Sequence, residues 1–161
     1  MVEFEIVDIE KEENMQVIIG HAGFIKTVED LHEALASSVP GIKFGVAFVE
    51  ASGKRLVRYS GNDSKLQEFA YKNIMKVNAG HSFIIMFTDA YPINVMHEIK
   101  SVSEVSRIYA ATSNPLRIVI AKDSMNRSII GVMDGSPAVG IENDEDKAER
   151  YKLLRDFGYK I

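Results

Sequence analysis

A nearly uninterrupted apolar run, SFIIMF at residues 82–87, lies between Gly80-His81 on one side and Thr88-Asp89 on the other. It is far too short to cross a membrane, and a stretch of this length between polar residues reads as a strand with no face left for water. A chain containing such a strand must supply apolar layers on both sides of it. The rest of the sequence can be read for those layers.

VEFEIVDIE alternates apolar and charged residues with period two, the pattern of a half-buried strand, and MQVIIG forms a second after the polar turn KEEN. TVEDLHEALASS places Val28, Leu31, Ala34 and Leu35 at helical spacing behind Thr27 as the expected cap. KFGVAFVEA and KRLVRYSG, separated by SG, read as a hairpin. DSKLQEFAYKNIMKVNAG reads as a helix capped by Asn62 or Asp63, with Leu66, Phe69, Ala70, Asn73 and Val77 on one stripe and Gly80 at the left-handed stop. YPINVMHEIKSV adds a short helix with Pro92 near its start.

VSRIYAATS, LRIVIAKD and RSIIGVMDG are three further strand candidates. NDEDKAERYKLLRDFGYKI closes the chain as a helix capped by Asn143 or Asp144 and stopped at Gly158. The pattern totals about eight strands and about four helices. Strands arrive in adjacent runs, so the expected class is α/β with an α+β-like arrangement. Residues 1–161 would form a single compact domain, a mixed β-sheet packed with helices.

Composition narrows the function classes. A chain of 161 residues suits one hydrophobic core, and 46% hydrophobic with 26% charged residues is a globular balance. The absence of cysteine excludes disulfides, thiol catalysis and cysteine-held zinc. A net charge of −4 argues against nucleic acid as the main partner. The acidic start lacks the positive end and apolar centre of a signal peptide, so the expectation is a cytoplasmic protein with no membrane partner.

No GxxxxGK[ST], helix-opening GxGxxG, HExxH or GxSxG occurs. GVMDGSPAVGIE gathers Gly131, Gly135 and Gly140 around Asp134, which reads either as a turn with an Asp-Gly corner or as an anion cradle beside a carboxylate. His21, His32, His81 and His97 are too dispersed for a metal-binding spacing, so no protein-held metal is expected. His21 and His81 each follow a glycine at a strand edge, where an imidazole serves equally as a structural residue or as a base or nucleophile toward phosphorus. Lys26, Lys43, Glu50 and Arg58 are charged residues at strand and loop edges, where cations serve as solvated surface or as phosphate clamps.

Seven segments in order, FIKTVEDLHEAL, PGIKFGVAFVEASGKRLVRYSGND, AGHSFIIMF, YPINVMHEIKSVSEV, ATSNPLRIVIA, GVMDGSPAVGIE and LLRDFGYKI, resemble the adenosine-specific kinase family over nearly the whole chain. The resemblance implies a compact α/β domain assembling as a homotrimer or a multiple of it. Its ligands would be ATP, ADP, AMP or adenosine, with Mg²⁺ as an optional companion. It further implies phosphoryl transfer through a phosphohistidine, and matches His81 in AGHSF to that role, with Asp134 and Lys26 as catalytic partners. It points to Lys43, Glu50, Asn62, Asp63, Asn94, Asn114 and Gly135 as nucleotide-binding residues.

Two places depart from the family pattern: Gly23 stands where relatives carry a histidine before the phenylalanine, with His21 two residues earlier, and AATSNP stands where relatives often carry a cysteine and an alanine. Phosphoryl transfer asks a protein chiefly for positioning and cations, which Lys26 and Lys43 would supply, while Asp134 would activate a hydroxyl or hold Mg²⁺. The alternative expectation is a non-catalytic adenine-nucleotide-binding or sensing module, consistent with the missing P-loop.

Overall fold

The computed structural model describes residues 1–161. Its elements run β1 (Glu3–Asp8), β2 (Gln16–Ala22), α1 (Thr27–Ser38), β3 (Lys43–Val49), β4 (Val57–Gly61) and α2 (Ser64–Val77). They continue with β5 (Ser82–Thr88), α3 (Pro92–Lys100), β6 (Val105–Thr112), β7 (Leu116–Lys122), β8 (Arg127–Asp134) and α4 (Asp144–Asp156). These are the eight strands and four helices expected of the α/β class.

The strands divide between two sheets, ordered β4-β3-β5-β2-β6 and β1-β7-β8, and every pairing is antiparallel. One mixed sheet was the expectation, and the reason none forms lies in the order in which the strands pair. The strands joined by a helix are the natural parallel neighbours, yet β5 inserts between β2 and β3, and β3 inserts between β4 and β5.

The apolar run is the central strand, β5, and Phe83 through Phe87 are all fully buried. Alternation divides them between two layers. Phe83, Ile85 and Phe87 join Val28, Leu31 and Leu35 of α1 and Val95 and Ile99 of α3 on one face. Ile84 and Met86 join Leu66, Ala70, Ile74 and Val77 of α2 on the other, together with Ile118 and Ile120 from the small sheet. No helix is long and apolar enough to cross a membrane.

Several local expectations shift. Thr27 lies inside α1 and is fully buried, while Lys26 occupies the cap position without a side-chain bond to the helix backbone. Asp63 caps α2 through the Leu66 N–H, but the left-handed stop is Asn78 rather than Gly80. In β1 the buried side is that of Val7, so Phe4 and Ile6 face outward. Asn143 caps α4, and Gly158 ends it at φ +79°. That helix buries no side chain, and Tyr151, Leu153, Phe157 and Tyr159 stay exposed along it and just beyond.

Asn73, expected on the buried stripe of α2, has a specific task there. Its Oδ1 accepts from the Glu10 N–H at 2.8 Å and its Nδ2 donates to the Glu10 carbonyl at 2.7 Å, so it tethers the β1–β2 connection to the helix. Asn73→Ala leaves that backbone pair without its partner, and the expected loss is about 1–2 kcal/mol. Urea unfolding should show a lower midpoint with an unchanged slope.

Candidate functional site

The C-terminal end of β2 and the entrance to β5 meet as partners at His21 and Ser82. His81 sits immediately before β5 with both backbone groups engaged: its N–H donates to the Val49 carbonyl and its carbonyl accepts from the Ala22 N–H, each at 2.9 Å. Stitched between two strands in this way, it is held at φ +63°, a left-handed conformation uncommon for a residue with a Cβ. Its ring lies over Phe48, with centroids 5.8 Å apart and planes 19° from parallel, and meets the His21 ring edge to face at 5.8 Å.

His21 is positioned from β6. The pairing of β2 with β6 is irregular on both sides of it, a feature that re-aims side chains at strand ends. Gly20 permits the close approach, because a Cβ there would stand 2.4 Å from the Arg107 carbonyl and 2.5 Å from the Phe83 ring. Ser106 Oγ lies 2.7 Å from His21 Nδ1 and donates to the His21 carbonyl at 3.1 Å. Arg107 faces His21 across the strands and makes no ion pair. Burial lowers the affinity of His21 for a second proton, and charge on His81 and Arg107 lowers it further.

Two more expected residues share this end of the sheet, both already paired. Glu50 Oε2 accepts from the Leu56 N–H at 2.8 Å and Oε1 meets Arg58 at 3.0 Å. The Leu56 N–H and then Arg58 hold its carboxyl below the usual range. Lys26 bonds Asp30 at 2.5 Å and lies 3.5 Å from Glu104, and the Asp30 bond raises its pKa. Beside Gly80, a cleft of about 470 Å³ contains Lys54, Arg55 and Arg127 facing Glu50. Arg127 is engaged by both oxygens of Glu5, which leaves Lys54 and Arg55 as that cleft's cations without an ion pair.

The remaining expected residues gather at the opposite end. Lys43 starts β3 opposite Thr88. Asn62 uses Oδ1 to accept from the Phe44 N–H and Nδ2 to donate to the Ile42 carbonyl, each at 2.8 Å, and Asp63 caps α2. Asn94 Oδ1 accepts from the Tyr91 N–H at 2.8 Å, closing a capping box on α3. Asp134 Oδ1 accepts from Thr112 Oγ1 at 2.7 Å and from Asn114 Nδ2 at 3.2 Å, with Gly135 at φ +64° against Asn114.

The six steps along β3 from Lys43 to Val49 span roughly 20 Å, so one copy of the chain does not bring these residues to His81. Sequence reasoning missed Ser106, Arg107, Lys54 and Arg55. Lys54 and Arg55 follow the SG turn directly, which was a readable signal, whereas nothing local marks Ser106.

These features define a class: an α/β domain whose antiparallel sheet presents a histidine pair and unpaired cations at one end. The chain belongs to the adenosine-specific kinase family, whose model matches residues 7–160. It is similar to the PH1918 protein from Pyrococcus horikoshii OT3, known from a crystal structure, with 49% identity. That match covers 100% of this chain and 99% of that one, with a TM-score of 0.96. No curated protein matches the chain.

Proposed function

We propose that this protein binds adenosine and adenine nucleotides and phosphorylates adenosine by way of a phosphohistidine at His81. The observation that carries the reading is the left-handed His81, strapped by both backbone groups beside Phe48, His21 and the unpaired Arg107, in a member of this family. A neutral imidazole nitrogen attacks the terminal phosphorus of a nucleoside triphosphate; the P–N bond forms as the P–O bond to the diphosphate breaks. Arg107 supplies charge beside the histidines, and Lys54 and Arg55 supply it in the adjoining cleft. Lys26 keeps its charge for Asp30 and Glu104.

Incubation with adenosine and candidate donors tests this directly, with AMP as the product measured. Adenosine binding without AMP from any donor would leave a non-catalytic binding or sensing module. Mg²⁺ would enter with the nucleotide phosphates.

The residues at the far end, Asp134, Gly135, Asn114, Asn94, Asn62, Asp63 and Lys43, reach the same site only from another copy. We infer a homotrimer built by head-to-tail contact, and two exposed apolar surfaces support it. One is α4 with Tyr151, Leu153 and Phe157; the other is the outer face of the small sheet with Phe4, Ile6 and Ile130. Two different surfaces joined head to tail generate a ring when the rotation between copies closes, as a three-fold rotation does. Leu153→Asp with Phe157→Asp, at positions that bury nothing in the monomer, should lower the mass in light scattering from trimer to monomer. A monomeric native protein would overturn the assembly.

A further inference from the structure

We propose that His21 is the proton acceptor when phosphoryl passes from His81 to a hydroxyl, and that Ser106 locks it in the tautomer that does this. The inference rests on the phosphoryl-carrier reading of His81 and adds a second imidazole with a defined protonation state.

The contacts of Ser106 fit that tautomer. A serine hydroxyl has one proton to donate. Ser106 Oγ lies within hydrogen-bond distance of both the His21 carbonyl, at 3.1 Å, and His21 Nδ1, at 2.7 Å. With the serine proton on the carbonyl, as proposed, Oγ accepts from Nδ1, which then carries the hydrogen. In the neutral ring Nε2 is then bare, with its lone pair on the side away from Ser106.

The surroundings favour the neutral ring. Facing it are His81 from the entrance to β5 and Arg107 from β6, both of which oppose added positive charge. Glu104 is the nearby carboxylate on the approach to β6, and it lies with Lys26 at 3.5 Å, as does Asp30 at 2.5 Å from α1. No carboxylate bonds the imidazole. Burial pushes the same way. The His21 ring centroid lies 5.8 Å from that of the phosphate carrier, which puts the two imidazoles side by side at one end of the sheet.

With His81 charged by a nucleoside triphosphate, the adenosine hydroxyl oxygen attacks phosphorus. The new P–O bond forms as the P–N bond breaks, and that electron pair returns to the His81 ring. The hydroxyl proton goes to His21 Nε2 and is later lost to water.

His21→Asn separates the two functions of the ring, since the shorter amide offers an N–H toward Ser106 and nothing in place of Nε2. With charging of His81 read by intact mass in each protein, discharge to adenosine should slow about 10²–10⁴-fold in the variant. The acid limb of the native pH profile for discharge should vanish with it. Ser106→Ala, which keeps the imidazole and frees its tautomer, should slow discharge by less. Nitrogen NMR of histidine-labelled native protein at neutral pH should show His21 protonated at Nδ1 and bare at Nε2, whatever the variants do.

Discharge of His21→Asn at the native rate, or a bare Nδ1 on His21, overturns the acceptor role alone. A native protein that never acquires phosphate under any donor overturns the carrier reading and the acceptor role together.

Discussion

His81→Ala is expected to abolish the acid-labile phosphate on the protein and to lower AMP formation on the order of 10⁴-fold, the scale on which removal of a covalent nucleophile acts. The readouts are intact mass and phosphorus NMR for the phosphoprotein, and a coupled assay for AMP. Adenosine affinity should change little, because the lost imidazole forms its bond with phosphorus rather than with the nucleoside. His81→Asn is the companion variant: asparagine accepts the left-handed backbone that His81 adopts at φ +63°, so its fold is the safer of the two. A phosphate that persists in both variants would move the carrier to another residue, with His21 first in line.

Gly45→Ala should produce the largest loss of stability, about 3 kcal/mol, seen as a fall in Tm of roughly 6–12 °C. A Cβ at this position in β3 would stand 2.3 Å from the Gln67 nitrogen and 2.4 Å from the Leu66 carbonyl, both backbone atoms of α2. Backbone cannot rotate away as a side chain can, so the first turn of α2 has to lift. Gly45 pairs directly with Gly61 of β4, and α2 rests on this bare patch of sheet. Gly23→Ala, where a Cβ meets nothing within 4 Å, is the control and should leave Tm unchanged.

Legibility in the sequence followed the range over which each feature is determined. The β5 run announced a central strand because six consecutive residues carry the signal, and Pro92, Asn143 and Gly158 marked helix ends because capping is settled within a turn. The insertion of β3 and β5 between helix-linked strands depends on which distant segments pair, and no local pattern states it. The same holds for the site.

Gly80 drew attention because glycine is the usual left-handed residue, yet the left-handed positions are Asn78, which closes α2 with a bond to the Ile74 carbonyl, and His81, which is bonded to β2 and β3. Asp134 and His81 sat in motifs of comparable interest, and only the strand register reveals that they belong to different sheets and lie at opposite ends of the fold. Ser106 lies 85 residues from His21 in sequence, beyond anything spacing rules address.

The backbone of His81 bears on how this protein would respond to selection. A left-handed residue with a Cβ sits about 1 kcal/mol above glycine in the same conformation. Random mutagenesis screened for heat resistance alone would be drawn to glycine or asparagine at that position, and the survivors would be tougher proteins without an imidazole. Retaining histidine there requires a screen that also reports phosphate, because at position 81 robustness and the proposed chemistry favour different residues.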